Sequence, residues 1–224
     1  MARHVCYHDR ADAGRQLADA VARRLEAHEL THDPLVLALP RGGVPVAVPV
    51  AAALSARVDV LVVRKVGAPG HEELAIGAVA AGLAETGGDP VMNDDLVARL
   101  RLSPDDVATQ TERARRELAA RSHRLRGDRP PPIATGRTVV LIDDGMATGA
   151  TMRASVAAIR AAAPAAVVVA VPVGAPEACA MIAALVDELV CPLQPRSFGA
   201  VGQWYDDFTP TTDDDVRRVL DRRD

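Results

Sequence analysis

The chain has 224 residues, 49% of them hydrophobic and 25% charged, which suits one α/β domain with a sizeable core and at most a small appendage. A formal net charge of −4 argues against broad nucleic-acid binding, which needs a basic excess. No stretch approaches the roughly 18 apolar residues of a membrane span and no signal peptide opens the chain, so a cytoplasmic location is expected.

Cys6, Cys179 and Cys191 are odd in number and lack CxxC spacing, so they support neither a disulfide framework nor a zinc site. From the N-terminus, Leu17, Val21 and Leu25 recur at a helical interval and predict a helix over residues 9–28 that packs on a sheet. Leu35 to Leu39, apolar between Pro34 and Pro40, predicts the first core strand, and it ends in Pro40-Arg41-Gly42-Gly43. Residues 44–56 read as helix. Pro45 suits its first turn, whereas Pro49 is expected to bend it or delay its start. Val58 to Val63 predicts a second core strand that delivers Arg64 and Lys65 to its end.

Lys65 is the only lysine among 26 basic residues. In a chain that otherwise uses Arg, a retained Lys points to a need for a compact ammonium. Residues 66–73, with two Gly and a Pro, predict a mobile loop, and 76–83 return as strand. A turn at 85–90 and a short helix at 92–102 follow. Ser103-Pro104-Asp105-Asp106 then forms a good helix start, with Ser103 at the N-cap and Pro104 at the first helical position. That helix runs to about Arg126, and its mixed Arg and Glu read as a solvated face of i,i+4 pairs rather than an RNA-binding face. Arg129-Pro130-Pro131-Pro132 is a stiff link back to the core.

Val139 to Ile142 is a buried parallel strand by its β-branched residues and lack of alternation. Asp143 and Asp144 follow it directly. The small-residue loop Gly145-Met146-Ala147-Thr148-Gly149-Ala150-Thr151 then opens a helix, whose N-terminal N–H groups and dipole favour an anion. Helix is predicted at 152–162, strand at 165–171, helix at 176–185 and strand at 189–193. The tail from Gln194 to Phe208 holds both Phe residues, the only Trp and one of two Tyr. Thr212 with Asp213, Asp214 and Asp215 opens a terminal helix. The alternation of strands and helices predicts a three-layer α/β/α fold with a mostly parallel central sheet, whose ligands sit at the carboxyl ends of strands.

Residues 139 to 151 resemble the phosphoribosyl diphosphate (PRPP) signature of the type I phosphoribosyltransferases, in which four apolar residues precede two acids and a Thr-Gly-x-Thr loop. The resemblance implies that Asp143 and Asp144 hold the ribose hydroxyls. It implies that Ala147, Thr148, Gly149, Ala150 and Thr151 hold the 5-phosphate. Arg41, Gly42 and Gly43 stand where family members bind pyrophosphate, with Arg64 and Lys65 as the next cations. If the strands ending at Leu39 and Ile142 are neighbours, these loops face each other across one crevice.

By the same resemblance, residues 67–73 correspond to the family's flexible catalytic loop, and the chain is one domain over 1–224 with a helical insertion at about 85–135 and a hood at about 194–224. The expected reaction is a Mg²⁺-dependent transfer of phosphoribosyl from PRPP to a nitrogenous acceptor, with Lys65, Arg41 and Asp144 as catalytic residues. The ion would be held mainly by PRPP, with no tight protein site. Phe198, Trp204 and Tyr205 are the candidates for stacking on the acceptor, and packing is the other role open to them. A homodimer is an arrangement open to the chain. The alternative function is a PRPP-sensing module that binds RNA, DNA or a protein partner. Tail and insertion do not match the purine, orotate or uracil enzymes, and the pattern is closer to a less characterised bacterial group.

Overall fold

The computed structural model describes residues 7–84 and 90–221, so Cys6 and all but the last residue of the turn expected at 85–90 lie outside the described residues. Its centre is a five-stranded parallel sheet made of β1 (Leu35–Ala38), β2 (Val58–Val60), β6 (Thr138–Ile142), β7 (Ala166–Ala170) and β8 (Glu188–Val190), in the order β2-β1-β6-β7-β8. Between β2 and β6 the chain leaves this sheet. It forms a small antiparallel sheet of β3 (Val62–Ala68), β4 (His71–Ala81) and β5 (Val91–Met92), then the helices α3 (Asp94–Arg99) and α4 (Pro104–Arg126).

The three inner strands of the large sheet, β1, β6 and β7, are buried on both faces, which is why they read as unbroken apolar runs. Alternate residues divide between two cores. Val36, Ala38, Val140, Ile142 and Val168 face α1 (Arg10–Ala27), α2 (Gly43–Ala53), α4 and α7 (Asp213–Leu220). Leu35, Leu37, Val139, Leu141 and Val169 face α5 (Ala150–Ala161) and α6 (Pro176–Ala183). Among the described residues no helix is long and apolar enough to cross a membrane.

Three local expectations are corrected. The strand expected over 58–63 is interrupted at Leu61, so its first half joins the parallel sheet and its second half begins the hairpin. Arg64 and Lys65 therefore lie within β3 rather than at the end of a core strand. The mobile loop expected over 66–73 is the closed end of that hairpin, where Pro69 and Gly70 connect β3 to β4 and Gly70 has a φ of 72°. Main-chain pairing reaches Ala68 opposite His71 with register shifts on either side of Gly67, so Gly and Pro here sit in a paired but irregular hairpin end. Finally, α2 starts at Gly43 and carries Pro49 inside it without a delayed start. Val44, Val46, Ala47 and Val50 are fully buried there, and that packing outweighs the hydrogen bond that Pro49 cannot donate.

Candidate active site

β1 and β6 are neighbours, paired from Leu35 opposite Val139 to Ala38 opposite Ile142. From β1 the chain moves outward to β2 and later returns on the other side of β1 as β6. This pair is therefore the topological switch point, the place where open parallel sheets bind ligands. Two helix N-termini sit at its carboxyl end, α2 starting at Gly43 and α5 at Ala150, and both present backbone N–H groups suited to anions. The Pro40–Arg41 peptide between β1 and α2 is cis.

The loops meet so closely that only glycine fits. A Cβ on Gly42 would collide with Asp144 Oδ2, and one on Gly43 would lie 2.5 Å from the carbonyl oxygen of Ile142. Gly42→Ala is therefore expected to displace a carboxylate that is held from its other side. A stability loss of about 1–3 kcal/mol should be seen by urea denaturation, and an unshifted midpoint would contradict this packing. Gly149 caps α5 with a φ of 70°, and a side chain there would also press on Met181 of α6 at 2.9 Å. The loop is fixed from behind by backbone bonds from Met146 N–H to Val173 O (2.9 Å) and from Ala175 N–H to Met146 O (2.8 Å).

The two acids are not equivalent. Asp143 lines the cleft and accepts a hydrogen bond from the backbone N–H of Asp144 (2.9 Å). Asp144 accepts from Arg10 Nε at 2.7 Å, in a pair whose side chains are only 10% and 14% exposed. The Arg10 guanidinium stacks 3.8 Å over the Phe208 ring, and its Nη1 donates to the carbonyl of Thr209 (2.8 Å). Burial holds both carboxyls above the ordinary range. For Asp143 the nearby Asp144 charge adds to that rise, and the Arg10 charge offsets part of it for both. Tyr205 donates its hydroxyl to the carbonyl of Asp144, and burial keeps that phenol neutral. Sequence reasoning misses Arg10. Its only local signal is a place in the first turn of α1, behind Asp9, and nothing there points across 134 residues to Asp144.

A cleft of about 480 Å³ opens between these strand ends, the β3–β4 hairpin and α4. It brings together Pro40, Arg64, Lys65, Asp143 and Thr151 from the residues named by sequence, and adds Arg121. Arg41 does not line it. Its Nη1 lies 3.4 Å from Asp213 of α7, beside a separate depression that it shares with Arg64, Arg121 and Arg124. Arg64 is ion-paired with Glu117, and Arg113 pairs with Glu72 (2.5 Å) and Glu117 (3.3 Å), which ties the hairpin to α4.

Phe198, Trp204 and Tyr205 are also absent from the cleft wall. They form a small third core with Tyr7, Val173 and Phe208. Tyr205 is buried there, with its ring 5.6 Å from Tyr7 and 5.1 Å from Phe208. Phe198 and Trp204 stack at 6.4 Å and are half-buried, and the Trp204 indole N–H has no acceptor among the described residues. Val201 of the same tail packs on Gly145, so the cluster braces the acid pair from behind.

This fold, with an acid pair and two anion-facing helix starts at the switch point, is that of a phosphoribosyl transferase domain. The model of that family matches residues 9–207, and the chain belongs to it. It is 44% identical over 216 residues to a Mycobacterium tuberculosis protein of strain H37Rv named "Putative phosphoribosyl transferase Rv0571c", and equally to its counterpart MT0597 in strain CDC 1551. Those matches cover 96% of this chain and 46% of each relative, so the chain spans less than half the length of these curated relatives. The crystal structure of TT1426 from Thermus thermophilus superposes with a TM-score of 0.83 at 42% identity, covering 96% of this chain and 98% of that one.

Proposed function

We propose that this chain takes PRPP as donor, with Mg²⁺, and passes its phosphoribosyl group to a nitrogenous acceptor with release of pyrophosphate. The observation that carries this reading is the pairing of β1 with β6. It sets the acid pair and the Thr148–Thr151 helix start opposite the Pro40–Gly43 loop, as a sugar phosphorylated at both ends requires. Asp143 accepts hydrogen bonds from ribose hydroxyls, and Asp144, held by Arg10, fixes the edge of that subsite. Ala147 to Thr151 receive the 5-phosphate on backbone N–H groups and hydroxyls. The C1–O bond to pyrophosphate breaks as the bond to the acceptor nitrogen forms, the nitrogen's proton passes to solvent, and the Lys65 ammonium meets charge developing on the leaving group.

The ion would be carried mainly by the substrate. Among the described residues no three His, Cys, Asp or Glu side chains converge on a metal site. Glu72 and Glu117 are ion-paired with guanidinium groups, which leaves Glu73 and Asp143 as the cleft carboxylates that could add a contact. When bound, Mg²⁺ supplies charge neutralisation at the diphosphate while keeping most of its water. On the acceptor side, Phe198 and Trp204 stay the candidates for stacking by their partly exposed rings, although they stack on each other outside the cleft wall and the Trp204 indole N–H is buried. Tyr205, buried and bound to Asp144, acts in positioning.

Titration calorimetry with PRPP and Mg²⁺ should show one saturable site. Asp143→Asn combined with Asp144→Asn should weaken it roughly 100-fold or more, since each loses a charged acceptor. Unchanged affinity would remove the ribose assignment. Pyrophosphate release in a screen of heterocyclic bases and small amines would identify the acceptor, and PRPP binding without turnover on any of them would favour a sensor.

A further inference from the structure

The cations that line the cleft differ in what already occupies them. Arg64 and Arg113 are committed to Glu117 and Glu72, so an incoming phosphate would first have to displace a carboxylate. Lys65 and Arg121 have no carboxylate partner among the described residues. Arg121 is half-buried on the inner side of α4, and one arm of its guanidinium donates to the carbonyl of Pro40 at 3.3 Å. That bond holds the fork at the loop joining β1 to α2, and its other N–H groups have no hydrogen-bond partner among the described residues. Arg41, whose sequence position suggests it for the same loop, is drawn outward to Asp213.

We infer that Arg121, supplied by the helical insertion, is the guanidinium that grips the pyrophosphate end of the donor together with Lys65. The inference rests on the PRPP reading above and extends it to α4. A planar fork can hold two phosphate oxygens at once, which a carbonyl-anchored Arg does with little further loss of side-chain freedom. It also gives α4 a reason to pack on the hairpin: its cation completes a site that the two loops alone leave short of positive charge.

Three ligands separate the outcomes in calorimetry on the full chain with Mg²⁺: PRPP, inorganic pyrophosphate, and ribose 5-phosphate, which lacks the diphosphate. Arg121→Ala should weaken PRPP and pyrophosphate by roughly 10- to 100-fold and leave ribose 5-phosphate within about twofold, as expected for charge-assisted hydrogen bonds to one ligand group. Arg121→Lys should restore only part of the loss, and Arg124→Ala, three residues further along α4, should change none of the three. If Arg121→Ala weakens ribose 5-phosphate equally, its role is structural and the inference falls. If the wild-type chain binds PRPP and Arg121→Ala leaves that affinity intact, the inference falls and the PRPP reading stands. If the wild-type chain binds neither PRPP nor pyrophosphate, both fall.

Discussion

Arg10→Met is expected to destabilise the fold by about 3–5 kcal/mol near neutral pH, because it strands a buried carboxylate at Asp144 without its cation. At roughly 2–4 °C per kcal/mol for a chain of this size, the thermal midpoint should fall by on the order of 10 °C. The effect has a definite pH sign. Burial already holds Asp144 above the ordinary carboxylate value, and Arg10 opposes that rise. Without Arg10 the folded-state pKa climbs further, so the folded variant keeps its proton over a wider range than the unfolded chain does. The variant's stability then falls as pH rises through that elevated pKa. The penalty should be largest at neutral and alkaline pH and should shrink on acidification, where Asp144 is protonated in both proteins. Arg10→Met combined with Asp144→Asn should recover much of the loss. A pH-independent penalty, or no recovery in the double variant, would show that the packing of Arg10 on Phe208 matters more than its charge. PRPP binding should follow the same order, since the ribose site needs ionised acceptors: its rise with pH should move upward in Arg10→Met.

The second large effect is expected at Asp59→Ala. Asp59 of β2 pairs with Arg126 at the end of α4, where the guanidinium side chain is 4% exposed and also donates to the carbonyl of Pro130 (2.9 Å). Burial outweighs the Arg126 charge in setting the Asp59 carboxyl, which stays above its ordinary range, so this pair is not a strong net stabiliser. Removing one half is a different matter. Asp59→Ala leaves a buried guanidinium unpaired and should cost about 3–5 kcal/mol in urea denaturation, whereas Asp59→Asn, which keeps an acceptor, should cost less. Replacing both residues with apolar ones of similar size should return stability to near the wild-type value. A small loss for Asp59→Ala would mean that Arg126 reaches solvent when freed.

Residues 139–151 announce both a strand and an anion loop because a buried parallel strand and a helix start are local features, and local features are written in adjacent residues. The N-cap at Ser103 and the acidic start of α7 are legible for the same reason, and both form as expected. The hairpin is harder to read: Gly and Pro mark a turn whether it joins paired strands or a free loop, and only cross-strand pairing from Val62 to Ala68 decides between them. The aromatic tail is conspicuous in composition, yet composition does not say which way a ring faces, and Tyr205 turns inward.

The sequence by itself determined the fold class, the family likeness and the position of the two acids, because each rests on periodicity or on contiguous residues. Only the tertiary structure decided which charges act together. Arg10 reaches Asp144 across 134 residues, Arg121 reaches the Pro40 loop across 81, and Arg41 is turned away by Asp213. Those choices depend on which helices dock beside the ends of β1 and β6. Docking is driven by burial of apolar faces that carry no information about the charged residue at the rim.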